Sequence, residues 1–472
     1  MRRLLLPILL LAVAVGCAVG AYLADQGGDT AEATGEVASP VTPVLSVRRI
    51  PDFVTEDIAD RRLTTELTAL IETAPPSSCL VVDAGGRPIV ADQPAVPLIP
   101  ASNEKLLVVT AALAELGPRH RYVTTVVAGA QPDGQGVVDG DVWLVGGGDP
   151  VLTTRDYAGS SEKQAEAHTA LEDLADALQE AGVTQIRGRV LGDESRYDAA
   201  RAVGAWPSRF IDQNQTGPLS ALSVNDGYSD YPTVADPGAV LTRSSSPPQI
   251  AAQHLVQLLT RRGIQVTGAA GTGTAPGGAV EVARVRSAPL RELAAQLLTW
   301  SDNQTAELLL KELGVARGGA GTTEAGAAAV EDILREQGYD LAGADAVDGS
   351  GLAGGNRATC GLLHEVLSTA GPRSPLITGL AIAGETGTLA TTFNGTPAEG
   401  RLRAKTGTLN ESMALSGVVD VPESDDLTFS LVVNEDFISQ ASLDLRTRIG
   451  LAMAAYPQRP PLERVGPRPL AS

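Results

Sequence analysis

Ser102 and Lys105 stand three residues apart at the head of an apolar run, Leu106, Leu107, Val108, Val109, Ala111, Ala112 and Leu113, that reads as a buried helix. At that spacing the two side chains lie one turn apart on the same face, so the amine can reach the hydroxyl it must activate. The chemistry on offer is acyl transfer, with Ser102 as nucleophile and Lys105 as general base. A helix start helps twice: its positive end and partial burial lower an amine's pKa, and its orphan backbone N–H groups can face an oxyanion. Further along, Ser301-Asp302-Asn303 supplies a hydroxyl that can relay a proton to a leaving amine and an amide that can hydrogen-bond a substrate backbone. Lys405-Thr406-Gly407 lies in an alternating, strand-like stretch to which an extended peptide can add as another strand. There Gly407 gives close backbone approach, while Lys405 and Thr406 offer charge and a donor to a terminal carboxylate.

Each motif has a plainer reading: an N-cap serine before a surface lysine, a polar helix break, a routine strand end. The chain even carries decoys, Ser160-Ser161-Glu162-Lys163 and Ser223-Val224-Asn225. Lys-Thr-Gly occurs once, however, and the full order selects the copies above. Only four of the 36 basic residues are lysines, so a lysine within a motif is less of a coincidence here than in an average chain. Arginine could not replace a lysine that must give up its proton. Rival chemistries lack their parts. Asp348-Gly349-Ser350-Gly351 does not have the spacing of a nucleophile elbow, and His364-Glu365 is not followed by the second histidine of a zinc helix. With four histidines and no clustered cysteines, neither a metal nor a cofactor is expected.

A chain of 472 residues should form two or three domains, and a formal charge of −20 argues against nucleic-acid binding. Residues 1–23 read as a signal peptide or membrane anchor, since Met1-Arg2-Arg3 precedes an uncharged run from Leu4 to Leu23. The body is therefore expected outside the cytoplasm, with a membrane contact if the segment is retained. In that setting Cys79 and Cys360 can form a bridge, two buried free thiols being the alternative. Residues 24–55 read as a tether and 458–472 as a tail. Helices are expected from Asp57 to Glu72, near Glu166 to Ala181, and from Leu290 to Leu313 with a break at Ser301-Asp302-Asn303. Ser78–Asp83 and Pro88–Val90 read as a hairpin, and Leu402–Thr408, Ala414–Val419 and Leu427–Val433 as neighbouring antiparallel strands. Residues 121–285 read as short β-rich pieces inserted between the first two motifs. The Gly-x-Gly-x-x-Gly spelling from Gly349 to Gly354 reads as a loop, because no clear strand precedes it.

In motif order and surroundings the chain resembles the low-molecular-mass class C penicillin-binding proteins, D-alanyl-D-alanine carboxypeptidases and endopeptidases of bacterial walls. The likeness spans Ser78 to Tyr456. It is carried by Pro100-Ala101-Ser102 with Lys105, Gly140-Asp141 through Gly148-Asp149-Pro150, Gly192-Asp193-Glu194-Ser195-Arg196-Tyr197, Asp348-Gly349-Ser350-Gly351-Leu352 with Asn356-Arg357, Gly387-Thr388-Leu389, and Ala404-Lys405-Thr406-Gly407-Thr408-Leu409. The resemblance implies an α/β (α+β) fold: a penicillin-recognising αβα serine transpeptidase-like domain, here 56–120 with 286–457, interrupted by β-rich domains at 121–285. It implies peptidoglycan stem peptides as substrate and β-lactams as inhibitors. An oxyanion hole from the N–H groups of Ser102 and Thr408 is implied as well, as is substrate contact by Thr406, Gly407 and Thr408. The resemblance also implies a pocket for a diamino-acid side chain around Asp193 and Tyr197, with Ser350 and Leu409 nearby. Two other functions fit the same residues. A class A β-lactamase shares the Ser-Asp-Asn spelling, but the long insertion and the lack of a Glu-x-x-Leu-Asn element before Lys405 count against it. A non-catalytic wall-binding protein on this fold is disfavoured by three intact motifs.

Overall fold

Along Ser78–Ala84 and Leu427–Asn434, successive side chains part to opposite sides of a sheet: Leu80, Val82, Phe429 and Leu431 join one apolar cluster, Cys79 and Val432 another. A sheet that is apolar on both faces needs a helical layer on each. A computed structural model describes residues 51–160, 167–233, 236, 238–422 and 424–460. The Leu4–Leu23 segment, most of the tether, Lys163 of the decoy motif and the tail beyond residue 460 lie outside the described residues. Among the described residues no helix is long and apolar enough to cross a membrane.

Helix α1 (Pro51–Ile71) leads into the hairpin β1 (Ser78–Ala84) and β2 (Arg87–Asp92), and α2 (Glu104–Glu115) follows the Ser102 turn. Strands β3 (Val123–Ala128), β4 (Val142–Val145), β5 (Val190–Asp193), β6 (Gly271–Thr272) and β7 (Val280–Arg286) come next, with helices α3 (Leu171–Glu180) and α4 (Pro247–Arg261) among them. The chain continues through α5 (Leu290–Trp300), α6 (Asn303–Ala316), α7 (Thr323–Glu336) and α8 (Cys360–Thr369). It ends in β8 (Ala381–Ile382), β9 (Leu402–Thr408), β10 (Ser412–Val419), β11 (Leu427–Asn434) and α9 (Gln440–Ala454). The described residues from Thr55 to Pro460 belong to one compact unit.

The main sheet runs β8-β9-β10-β11-β1-β2, antiparallel throughout. Leu63 and Leu67 of α1 and Ile449 and Met453 of α9 cover one face. The other face carries α2, α5, α6, α7 and α8 through Leu106, Leu297, Leu309, Val330 and Leu363. Two sequence-distant ends, α1–β2 and β8–α9, thus share one sheet, which leaves everything between β2 and β8 to build the second layer and the insertion.

The insertion enters and leaves on adjacent strands, with Val123 paired to Arg286 and the Ser287 N–H donating to the Tyr122 carbonyl at 3.0 Å. Its five-stranded sheet, β6-β5-β4-β3-β7, packs on α3 and α4 through Leu144, Leu171, Leu174, Leu255 and Leu259. Helix α4, 15 residues long, adds a second helix to a block in which one, near Glu166 to Ala181, was expected. Its signals were a Pro247-Pro248 start and buried Ala251, Ala252, Leu255, Leu258 and Leu259 at helical spacing. The Ser223-Val224-Asn225 decoy lies in this lobe, where the Asn225 amide oxygen accepts from Thr153 Oγ and the Thr154 N–H.

Cys79 on β1 and Cys360 at the start of α8 form a disulfide across 281 residues of chain, Cα atoms 5.9 Å apart. It ties the sheet to the helical layer that holds the site. Closing so long a loop restricts the unfolded chain, so Cys79→Ser with Cys360→Ser should lose about 2–4 kcal/mol of stability. Thermal unfolding of the double variant against wild type measures this. An unchanged midpoint would mean that the bridge contributes nothing.

Candidate active site

Ser102 sits in a single 3-10 turn, Ala101–Asn103, that passes directly into α2. Three neighbours clamp this turn. Asn103 Nδ2 donates to Ser416 Oγ of β10 at 2.8 Å. A Cβ on Gly351 would meet the Ala101 carbonyl oxygen at 1.9 Å, and one on Gly407 would meet the Pro100 oxygen at 3.0 Å. The closest role of Gly407 is therefore towards the Ser102 turn, besides any approach of substrate. Ala101 holds φ at +48°, a conformation a non-glycine residue keeps only when its surroundings impose it.

Lys105 is wholly buried, and its Nζ lies against three acceptors: Ser102 Oγ at 3.0 Å, Asn303 Oδ1 at 2.8 Å, and the Ser350 carbonyl. As an ammonium, Nζ donates to Ser102 Oγ; as a neutral amine it would have two protons and one lone pair, and since carbonyl oxygens only accept, the lone pair could then turn to the Ser102 hydroxyl. Lys405 is buried as well, and its Nζ donates to the Thr406 carbonyl at 2.9 Å. Burial first, and then the charge of Lys105, push the Lys405 amine well below its ordinary range. Two ammonium groups so placed repel, which favours releasing a proton from the pair.

The outer edge of β9 is open where the motif lies. Strand β8 pairs only with Arg403 and Ala404. The Leu409 N–H donates to the Ser412 carbonyl at 2.8 Å, and antiparallel alternation from that pair turns the N–H groups of Thr406 and Thr408 away from β10. Thr408 is exposed, and the Thr406 hydroxyl donates to Thr388 Oγ at 2.9 Å. Both strand N–H groups can meet an incoming extended chain.

Ser301 caps α5 in a left-handed conformation, φ 59° and ψ 40°, and Asn303 opens α6 behind the N-cap Asp302. The sharp reversal turns one long apolar pattern into two helices and points Asn303 at Lys105. Asn303 has partners beyond the expected one: its Oδ1 receives Lys105 and one Nδ2 proton goes to the Gln215 carbonyl at 2.8 Å. In this state it orients Lys105, and its second Nδ2 proton is left for a substrate backbone. Lys405 differs more, being enclosed where a reach towards an open carboxylate was expected.

The side-chain pocket expected around Asp193 and Tyr197 is closed. Both oxygens of buried Asp193 accept backbone N–H groups, from Ser195 at 2.8 Å and Ala275 at 2.7 Å, which makes it a turn anchor. The Tyr197 hydroxyl donates to Glu312 at 2.8 Å, within the bidentate pair of Glu312 with Arg196. Leu409 is buried in the same apolar cluster as Tyr197 and Ala101. Ser350 is fully buried, and it is its carbonyl, on Lys105, that serves the site.

Glu307, Asp348 and Gln215 were not anticipated. Glu307 Oε1 accepts the N–H groups of Gly349 at 3.1 Å and Ser350 at 2.7 Å, fixing the turn whose carbonyl holds Lys105. Asp348 holds the same turn from within, accepting from the Gly351 and Ala353 N–H groups, Asn356 Nδ2 and Trp206 Nε1. Burial, followed by the charge of Asp348, pushes the Glu307 carboxyl up to about 8. Glu104, also fully buried, is raised by the same two causes. The available signal was a glutamate four residues after Asn303, directly before the apolar run Leu308-Leu309-Leu310. Gln215 contributes only a backbone carbonyl, which leaves no trace in a sequence.

The family model described as "D-Ala-D-Ala carboxypeptidase 3 (S13) family" matches residues 74–239 and 230–455. The chain is 29% identical to the D-alanyl-D-alanine carboxypeptidase of an Actinomadura species, over 91% of each chain. It is 33% identical to carboxypeptidase DacB of Mycolicibacterium smegmatis, over 90% of this chain and 91% of that one. Among solved structures, penicillin binding protein 4 (dacB) of Haemophilus influenzae superposes with a TM-score of 0.66 at 20% identity, covering 81% of this chain and 97% of that one. That likeness speaks for the fold.

Proposed function

Because the chain belongs to the D-Ala-D-Ala carboxypeptidase 3 (S13) family and is a serine-type carboxypeptidase, we propose that it trims peptidoglycan stem peptides through an ester on Ser102. The observation that carries this is the buried Lys105 amine in hydrogen-bond reach of Ser102 Oγ, at 3.0 Å. A stem peptide ending in D-Ala-D-Ala lies along the open edge of β9, its scissile carbonyl between the N–H groups of Ser102 and Thr408. Lys105 takes the Ser102 proton as Oγ attacks. As the tetrahedral intermediate collapses, Ser301 relays a proton to the leaving D-alanine, and water then releases the trimmed peptide by the same route. The motif Lys405 is enclosed in the strand beside Lys105, where two ammonium groups disfavour each other and the pair readily gives up one proton. The same acylation accounts for inhibition by β-lactams, and a cross-link in place of the last D-alanine would make the reaction an endopeptidase step. We assign 121–285 as the inserted lobe and place the body outside the cytoplasm, which suits the Cys79–Cys360 bridge. The segment 1–23 either anchors it or is cleaved.

Mass spectrometry after incubation with a labelled penicillin tests this reading. A long-lived adduct on the peptide carrying Ser102 is the expected result. Rapid loss of the adduct would instead indicate a β-lactamase, and no adduct a non-catalytic binder.

A further inference from the structure

One stretch of the inserted lobe, residues 206–215, lies against the motifs rather than in the core of the lobe. Its Trp206 and Phe210 pack in one apolar cluster with Ala101 of the Ser102 turn, Leu352 and Leu409. The stretch is braced by its own backbone. A helical turn, Ser208–Asp212, is closed by the N–H groups of Gln213, Asn214 and Gln215 on the carbonyls of Arg209, Ile211 and Phe210. Asn214 holds φ at +52° within that reversal.

Each end of this strap delivers one polar group to the site. Trp206 Nε1 donates to Asp348 Oδ2 at 2.7 Å, an oxygen that also accepts the Ala353 N–H at 2.7 Å, while Asp348 Oδ1 accepts the Gly351 N–H at 2.8 Å. The turn so held carries the Ser350 carbonyl that receives Lys105. At the other end the Gln215 carbonyl receives Asn303 Nδ2, and Asn303 Oδ1 receives Lys105. Two acceptors of the Lys105 amine are thus held, at one remove, by ten residues of the lobe. The strap is fastened in turn to the lobe behind it. Arg243 donates to the Thr216 carbonyl, and the Leu219 N–H donates to the Arg201 carbonyl at 3.1 Å. Contact at the rim is looser: Arg209 and Glu411 stand 4.0 Å apart, both partly exposed, which contributes little.

We propose that the strap Trp206–Gln215 positions Lys105, so that the inserted lobe is a working part of the active site and Trp206 a positioning residue for the base. The aim of the amine at Ser102 depends on where its other two acceptors stand, and both ride on segments that the strap holds. Reaction rates are sensitive to such placement, since reacting groups must be aligned before the barrier is crossed. The proposal rests on Lys105 as the base of the carboxypeptidase reading.

Two variants test it. Trp206→Phe keeps a ring in the apolar cluster and removes the N–H to Asp348. Arg243→Met cuts the tie of the strap to the lobe, a bond to Thr216 rather than to any motif residue. In stopped-flow acylation by penicillin, Trp206→Phe should react about 5–50-fold more slowly than wild type and Arg243→Met about 3–20-fold more slowly. The dissociation constant of the initial non-covalent complex should not change in either. Thermal unfolding confirms that both are folded at the assay temperature, where a strap that only packs would leave acylation as fast as in wild type. Wild-type acylation rates in both variants therefore overturn the proposal. Amide hydrogen exchange reads the strap without catalysis: Gly351 and Ala353 should exchange faster in Trp206→Phe, and unchanged protection of both would refute the link from the strap to the Ser350 turn. If penicillin leaves no adduct on wild type, the carboxypeptidase reading fails, and exchange still decides whether the strap holds the turn on Lys105.

Discussion

Lys105→Arg should be acylated by penicillin about 10²–10⁴-fold more slowly than wild type, close to the loss in Lys105→Ala. The substitution keeps the positive charge and removes only the capacity to be neutral. Charge alone would suffice if Lys105 merely stabilised an anion, so the arginine variant separates that role from proton transfer. Space acts in the same direction. Lys105 is fully buried against Ser102, Asn303 and the Ser350 carbonyl, and a planar guanidinium cannot offer a lone pair to the hydroxyl at 3.0 Å. Stopped-flow acylation rates, with thermal unfolding to confirm that the variant is folded, make the measurement. A rate within a few-fold of wild type would remove Lys105 as the base.

How much of the fold could be read from the residues depends on how local each signal is. The antiparallel run β9-β10-β11 and the hairpin β1-β2 declared themselves because alternation and turn residues are carried by neighbours in the chain. The break at Ser301-Asp302-Asn303 was visible for the same reason: three polar residues interrupt an apolar helical pattern, and Asp302 caps the second of the two helices. Ser102 and Lys105 were found through a spacing of three. Long-range backbone partners were out of reach. Nothing in the letters says that the Ser350 carbonyl lies on Lys105, or that the Gln215 carbonyl takes the Asn303 amide. The same limit explains Asp193 and Tyr197, whose types suit an amine pocket. Ser195, Ala275 and Glu312 occupy their polar atoms, and two of those three partners come from distant segments. Helix α4 has helical spacing of its own, but it lies in a block whose frequent glycines and prolines mask it.

Glu307 carries the second large effect, through the turn it holds. Its Oε1 receives the Gly349 and Ser350 N–H groups, and the Ser350 carbonyl in the same turn receives Lys105. Glu307→Ala leaves two buried N–H groups without an acceptor and a cavity behind them, so the Ser350 carbonyl should drift from Lys105. A loss of about 1–3 kcal/mol in positioning corresponds to an acylation rate roughly 5–150-fold lower. Glu307→Gln keeps the acceptor and should acylate within a few-fold of wild type at neutral pH, where the carboxyl, raised to about 8, is itself protonated. The two variants separate positioning from charge. Linkage adds a stability test. A carboxyl whose folded pKa is raised gives stability that is complete below the usual carboxylate range and is lost as pH climbs towards about 8. Wild type should therefore lose stability between about pH 5 and pH 9 relative to Glu307→Gln, which has no proton to give up there. Parallel denaturation curves for the two proteins across that range would show Glu307 to be ordinary in its titration, and normal acylation by Glu307→Ala would take it out of the positioning of Lys105.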